Sequence, residues 1–155
     1  MRFVGAAALV LLAAVVRVMG SACAPGKTDC PIDENVGSTV IYEDERVRVW
    51  NFTLAPNEST SLHRHDCDYH FVALQPSTLE VFGANGERLF DFLATGTLGF
   101  KLDGDELVQL PPSSADASFT PIRVPRTHTA RNIGSNIYRE LLFESRRCST
   151  TGDEL

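Results

Sequence analysis

Residues 59–74 read STSLHRHDCDYHFVAL, and the spacing of histidines in that stretch governs the reading of the whole chain. His63 and His65 are two apart, so on an extended strand both imidazoles leave the same face. His70 lies in the same window, and the fourth and last histidine, His128, sits in RVPRTHTARN at 123–132, which reads as a strand entering a turn. No histidine is left over for ordinary surface duty. Neutral imidazole is the commonest protein metal ligand, and three or four of them converging suit Zn, Fe, Mn, Ni or Cu rather than Ca or Mg. A lone H-x-H pair is as readily two exposed residues of a polar hairpin. The second histidine segment tips the balance toward a metal.

The chain around this window is punctuated like an all-β domain. Segments 39–42 and 46–54 are rich in β-branched and aromatic residues, broken by Glu43-Asp44-Glu45 and by Ala55-Pro56-Asn57. Segments 78–82 and 88–92 flank Asn85-Gly86, a hairpin signal, and 97–101 and 106–110 flank Asp103-Gly104. A Pro/Ser/Ala loop at 111–118 precedes three more expected strands at 119–124, 127–132 and 137–144. No amphipathic helix of any length follows the first two dozen residues. Short strands at regular spacing argue for a sandwich or barrel.

Read together, LAPNESTSLHRHDCDYHFVAL and PIRVPRTHTARNIGSNIYRELLFE resemble the two motifs of the cupin superfamily, whose members are small jelly-roll β-barrels with a metal inside. In that family the first motif runs from a glycine through H-x-H and three or four residues to a Glu, and the second reads P-x-G-x-x-H-x-x-x-N. The resemblance covers residues 40–144, with RVRVW, HRHDxDY and YRELL most like small single-domain bacterial cupins. It implies His63, His65 and His128 as metal ligands and places Asn132 on the second motif's terminal Asn. Asn57 stands where the first motif has glycine, a substitution that a left-handed turn tolerates. The second motif is one residue shorter, with Pro125-Arg126-Thr127-His128 and no glycine. The Glu position falls on Tyr69 or His70, depending on whether three or four residues follow His65, and strand parity alone does not choose because a bulge at 66–68 would invert it. Ligand chemistry favours His70, since imidazole binds transition metals more readily than a neutral phenol. Tyr69 and Asp68 are then the candidates for proton transfer or hydrogen bonding to a substrate.

The ends of the chain carry addresses. Residues 1–22 combine a basic Arg2, an apolar run from Phe3 and small residues before Cys23, the pattern of a cleaved secretory signal peptide too short to span a bilayer comfortably. An N-terminal arm at 23–38, a barrel at 39–145 and a tail at 146–155 follow. The tail closes Gly152-Asp153-Glu154-Leu155, which resembles the K-D-E-L signal read by the endoplasmic-reticulum retrieval receptor. Two sequons, at Asn51 and Asn57, become glycosylation candidates in that lumen, Asn57 the better because it lies in a turn. An oxidising compartment also permits a disulfide, and Cys30 with Cys148 would tie the arm to the tail.

Without its leader the chain keeps 12 basic and 20 acidic residues, a net charge of −8, which argues against nucleic acid or an anionic membrane surface as partner. No Ser-His-Asp arrangement, phosphate-cradling glycine loop or paired catalytic carboxylates stands out. The resemblance therefore implies a lumenal protein with a divalent transition metal, acting as an oxygenase, isomerase or lyase on a small oxygenated organic substrate. Its counterpart is a non-catalytic cupin that binds a small ligand or a protein partner. A homo-oligomer is compatible with either.

Overall fold

A computed structural model describes residues 31–148. The expected Cys30 partner, the leader and the retrieval tail lie outside these residues. The described chain forms eleven strands: β1 Thr39–Glu43, β2 Val47–Leu54, β3 His63–Arg64, β4 Tyr69–Gln75, β5 Ser77–Gly83, β6 Arg88–Ala94, β7 Thr97–Asp103, β8 Glu106–Gln109, β9 Arg123–Pro125, β10 Thr127–Asn132 and β11 Tyr138–Ser145. No helix among them is long and apolar enough to cross a membrane. One sheet has seven strands in the order β1-β2-β11-β4-β7-β8-β9, and the other has four in the order β3-β10-β5-β6. Their named strand pairs are all antiparallel. The all-β jelly roll is thus the fold.

Burial alternates along the strands that matter, as period-2 geometry requires. In β11 the inward residues are Tyr138, Glu140, Leu142 and Glu144, while Arg139 and Phe143 face solvent. Inside the barrel, Trp50, Tyr69, Phe71, Phe100, Leu107 and Leu142 pack in one cluster, and Phe52, Leu54, Leu79, Ala94 and Tyr138 in a second. Aromatic contacts hold each together, with the Tyr69 and Phe100 rings stacked at 5.2 Å and Phe52 meeting Tyr138 edge-on at 5.9 Å. β11 lies in the interior of the larger sheet, paired with β2 on one side and β4 on the other along most of its length.

The turns follow their residues. Asn57 adopts φ 65°, the left-handed conformation that its place in the first motif demands, and Gly86 closes the β5–β6 hairpin at φ 78°. The segment expected as a strand at 119–124 is extended only from Arg123. Pro121 offers no N–H to the ladder, and Ile122 is instead tied to Gln109 by one backbone bond and one side-chain bond.

The described part of the arm, residues 31–38, packs onto the barrel. Asp33 N–H donates to Leu62 C=O at 2.7 Å, Arg64 N–H donates to Asp33 C=O at 3.3 Å, and Val36 is 2% exposed. Gly37 lies so close to Trp50 that an added Cβ would meet the Trp50 Cβ at 2.5 Å.

The disulfide differs from expectation. Cys148 is bonded to Cys67, with Cα atoms 4.9 Å apart, and so cannot pair with Cys30. β11 is antiparallel to β4, which sets Glu144 opposite Tyr69, so the chain leaving β11 runs past the loop that leads into β4. Cys148→Ser is expected to lower the unfolding free energy by roughly 2–4 kcal/mol, because the bond closes a long loop in the unfolded chain. A denaturant melt of the variant with an unmoved midpoint would refute that.

Candidate metal centre

His63 on β3 and His128 on β10 are direct cross-strand partners in the smaller sheet, so both side chains enter the barrel together. His65 follows two residues later on the same inward parity. The three imidazoles are 4%, 2% and 7% exposed for His63, His65 and His128, and one nitrogen from each lies within 4.8 Å of the others. Ring centroids are 5.1 Å apart for His63 and His65, 4.6 Å for His63 and His128, and 5.2 Å for His65 and His128.

The surroundings set tautomer and charge. In the neutral tautomer, Nδ1–H of His63 donates to the Ser61 carbonyl at 3.1 Å and Nδ1–H of His128 donates to the Pro125 carbonyl at 2.8 Å. Each of those rings therefore keeps its lone pair on Nε2. Nδ1 of His65 is buried with no partner. Desolvation pushes all three rings below the ordinary histidine range, His128 to about 3, and for His65 the neighbouring rings add to the effect. Three neutral, buried, convergent imidazoles, one with an orphaned nitrogen, fit a transition metal and suit nothing structural. His63, His65 and His128 would hold it.

The loop between His65 and β4 is clamped from outside. Arg126 C=O accepts from His65 N–H at 2.9 Å, Arg126 Nε donates to His65 C=O at 3.2 Å, and its guanidinium pairs with Asp66, which also binds Arg64. The His65 ring lies between His128 and Tyr69, stacked on Tyr69 at 4.3 Å and 18°.

Two barrel motifs, one at β3 and one at β10, thus deliver histidines from paired strands into the interior of a two-sheet jelly roll. The chain has the cupin fold. A family model described as auxin binding protein matches residues 27–90, which include the first histidine motif. Among solved structures, this chain is similar to a cupin domain of Bordetella pertussis Tohama I at 20% identity, covering 69% of this chain and 88% of that one with a TM-score of 0.42. It is also similar to the polyketide cyclase RemF of Streptomyces resistomycificus at 14% identity, with 77% and 76% covered and a TM-score of 0.41. A double-stranded β-helix cupin of Methanocaldococcus jannaschii matches at 13% identity, with 77% and 82% covered and a TM-score of 0.35. No curated protein matches the sequence.

Strand parity corrects the expectation for His70. From His65 to His70 burial alternates without a bulge, so Tyr69 is 6% exposed inside the barrel and His70 faces out. On the outer face the His70 ring lies over its cross-strand partner Gly99, where an added Cβ would meet it at 2.5 Å. It is not among the converging histidines. The family's Glu position is therefore filled by a phenol whose ionisation burial disfavours, with the Glu140 charge adding to the effect.

Asp68, expected beside the chemistry, is exposed and accepts a hydrogen bond from Leu102 N–H at 2.8 Å, so it pins the loop from outside. Its backbone carbonyl, accepting from Ser145 N–H at 2.8 Å, ties the same loop to β11.

Next to the histidines lies a cavity of about 70 Å³, lined by Phe52, Phe71, Phe90, Phe92 and Phe100 with the Tyr69 ring at its side. The sequence reading missed one polar member of its wall, Glu140. This carboxyl is 5% exposed and accepts a short hydrogen bond from the Tyr138 hydroxyl. Burial raises it from its ordinary 4.5 to about 7, the Tyr138 bond offsetting only part of the shift.

These shifts give pH dependences of opposite sign that overlap below neutrality. The folded Glu140 value lies above the unfolded one, so its contribution is whole below about 4.5 and is lost, by roughly 3 kcal/mol, as pH rises from there to about 7. The folded histidine values lie below the unfolded 6.5, so their contribution is present above that value and lost as pH falls through it. In metal-free protein the histidines are therefore expected to add stability from pH 5 to 7 while Glu140 opposes that gain, so Glu140→Gln should gain more over this interval than the parent. Urea midpoints of both proteins at pH 5 and 7 would show this. A Glu140→Gln midpoint that rises from pH 5 to 7 by no more than the parent's would contradict it.

Proposed function

We propose that this cupin holds a divalent transition metal on His63, His65 and His128 and uses it to bind a small oxygenated organic acid, an aromatic carboxylate of the auxin kind, in the endoplasmic-reticulum lumen. The observation that carries the reading is the opening of three neutral, buried imidazoles onto a chamber walled by phenylalanines. A carboxylate requires a cation in a site of this dielectric, and its ring requires apolar contact. The metal, when bound, supplies a Lewis-acidic positive charge toward that carboxylate. No protein carboxylate belongs to the histidine cluster, so an incoming anion meets no competing ligand charge there. The match to an auxin-binding family model across the first motif supports the same ligand class.

The experiment is calorimetry with indole-3-acetate on protein loaded with Zn2+ and on the same protein stripped by chelator. Saturable binding only when Zn2+ is present supports the reading, and no binding in either state refutes it.

A metal-dependent enzyme of the oxygenase, isomerase or lyase type is the second reading. The protonated Tyr69 phenol favours it, because it stands in the cavity wall against His65 and can donate a hydrogen bond or proton to a bound molecule. Product formation from a bound acid, lost in Tyr69→Phe with binding kept, would select it. The lumenal address rests on the leader at 1–22 and the Asp153-Glu154-Leu155 terminus, and removing the last three residues should send the protein to the medium. Of the two sequons, Asn57 is exposed on a turn, whereas Asn51 is half-buried between β1 and β11. The exposure of Asn57 supports it as the better glycosylation candidate.

A further inference from the structure

Glu140 is a buried carboxyl that the metal site does not use. It is not in the histidine cluster, yet it lines the same chamber. Its strand position explains the separation. Glu144 is the β11 residue opposite Tyr69, and Glu140 lies four residues along the strand, about 13 Å of backbone at the usual rise. There it is paired with Phe52, a member of the second core cluster, rather than with the residues around the histidines.

Only one of its oxygens is satisfied by the protein. Oε2 accepts from the Tyr138 hydroxyl, and Oε1 receives no hydrogen bond from the described residues. On the chamber side the Tyr69 phenol is near enough for the Glu140 charge to act on it, but no hydrogen bond joins the two among the described residues. A buried carboxyl with a half-used acceptor set is costly, and native structures keep such groups where something else completes them.

We propose that Glu140 is a second anchor for the ligand, selecting acids that carry an N–H or O–H donor on the part of the ring system remote from the carboxylate. The inference rests on the binding reading given above. The ligand it describes has three parts: an anionic head at the histidines, a flat apolar body among the phenylalanines, and a donor that reaches Oε1. Its raised affinity for protons lets Glu140 tolerate the chamber while it is empty, and a donor from the ligand favours the charged form. Sites built to meet a donor reject the analogue that lacks it far more strongly than apolar walls reject a change of size.

The test uses two acids of nearly equal shape, indole-3-acetate with its ring N–H and benzofuran-3-acetate with oxygen in that place. Each is titrated by calorimetry into the Zn2+-loaded full mature chain. The parent protein is expected to prefer the indole acid by roughly tenfold or more, a charge-assisted hydrogen bond's worth. Glu140→Leu should bring the two acids to within about twofold, and Glu140→Gln, whose amide oxygen still accepts, should keep a reduced preference. Glu140→Gln keeps the result decisive if Glu140→Leu does not fold. Equal affinity of the parent for both acids, or an undiminished preference in Glu140→Gln and Glu140→Leu, overturns the anchor and leaves the metal-dependent binding reading intact. Failure of both acids to bind, with or without Zn2+, overturns both.

Discussion

Purified His63→Ala is expected to contain no metal, whereas His70→Ala is expected to contain as much as the parent. The contrast is large because His63 enters the barrel from the smaller sheet, whereas His70 faces outward from the larger one. Among the described residues His63 is one of three converging imidazoles, and removing one leaves two neutral donors, too few to retain a transition ion through chelating dialysis. The carbonyl of Ser61 also loses the donor that orients the ring. His70, exposed on the outer face against Gly99, touches none of this. Elemental analysis of both proteins reads the result directly. Metal-depleted His70→Ala would restore the imidazole as a fourth ligand and would require β4 to be rotated by one residue.

Asn132→Ala is expected to cost about 3–5 kcal/mol of stability, enough to unfold a marginal domain. The side chain is fully buried and uses its whole hydrogen-bonding capacity. Its Oδ1 accepts from the Ser77 hydroxyl at 2.7 Å and from Gly134 N–H at 3.0 Å, and its Nδ2 donates to the carbonyls of Leu54 at 3.0 Å and Asn136 at 2.7 Å. It therefore fastens the end of β10 to β2, to β5 and to the turn that leads into β11. Alanine removes the side-chain partner of four polar groups at one stroke, the two contacts to Ser77 and Leu54 being buried. Asn132→Asp should be nearly as damaging, since it keeps the two acceptor contacts, loses both donors and buries a charge. Thermal melts read both variants, and a shift of only a degree or two in Asn132→Ala would show that water replaces the amide at no cost.

The metal motif was legible because its chemistry is written in side-chain identity and spacing. His63 and His65 share a face by period 2, and His128 is the remaining histidine in a second strand segment. The residue at the Glu position was not legible, because the choice between Tyr69 and His70 depended on whether the loop at 66–68 contains a bulge. That is settled by contacts such as the Asp68 carboxylate with Leu102 N–H and the Asp68 carbonyl with Ser145 N–H, which carry no signature in the sequence. Glu140 was hidden for a different reason. In YRELLFES, Leu141 and Phe143 form one face of the strand and Glu140 and Glu144 sit on the other, so the apolar pattern suggests that the acids point to solvent. The folded strand does the reverse, with Glu140 held by Tyr138 and Glu144 by the Trp50 indole N–H at 3.1 Å. Cysteine pairing failed on similar grounds, since proximity in space between Cys67 and Cys148 follows from the antiparallel pairing of β4 with β11 and not from distance along the chain.

The interior position of β11 fixes an order of events during synthesis. β2 and β4 are separated by fewer than twenty residues, yet neither meets the other, because β11, the last of the described strands, lies between them. A nascent polypeptide emerging amino end first therefore presents two half-sheets with unpaired inner edges until residue 145 has been delivered. The three histidines emerge before that, His128 seventeen residues ahead of the strand's end, so the ligands exist as a set before the wall that encloses them. Closure is a late, long-range step of the kind that slows β-rich chains, and it makes the completed chain, rather than any amino-terminal fragment, the smallest unit in which the chamber can form.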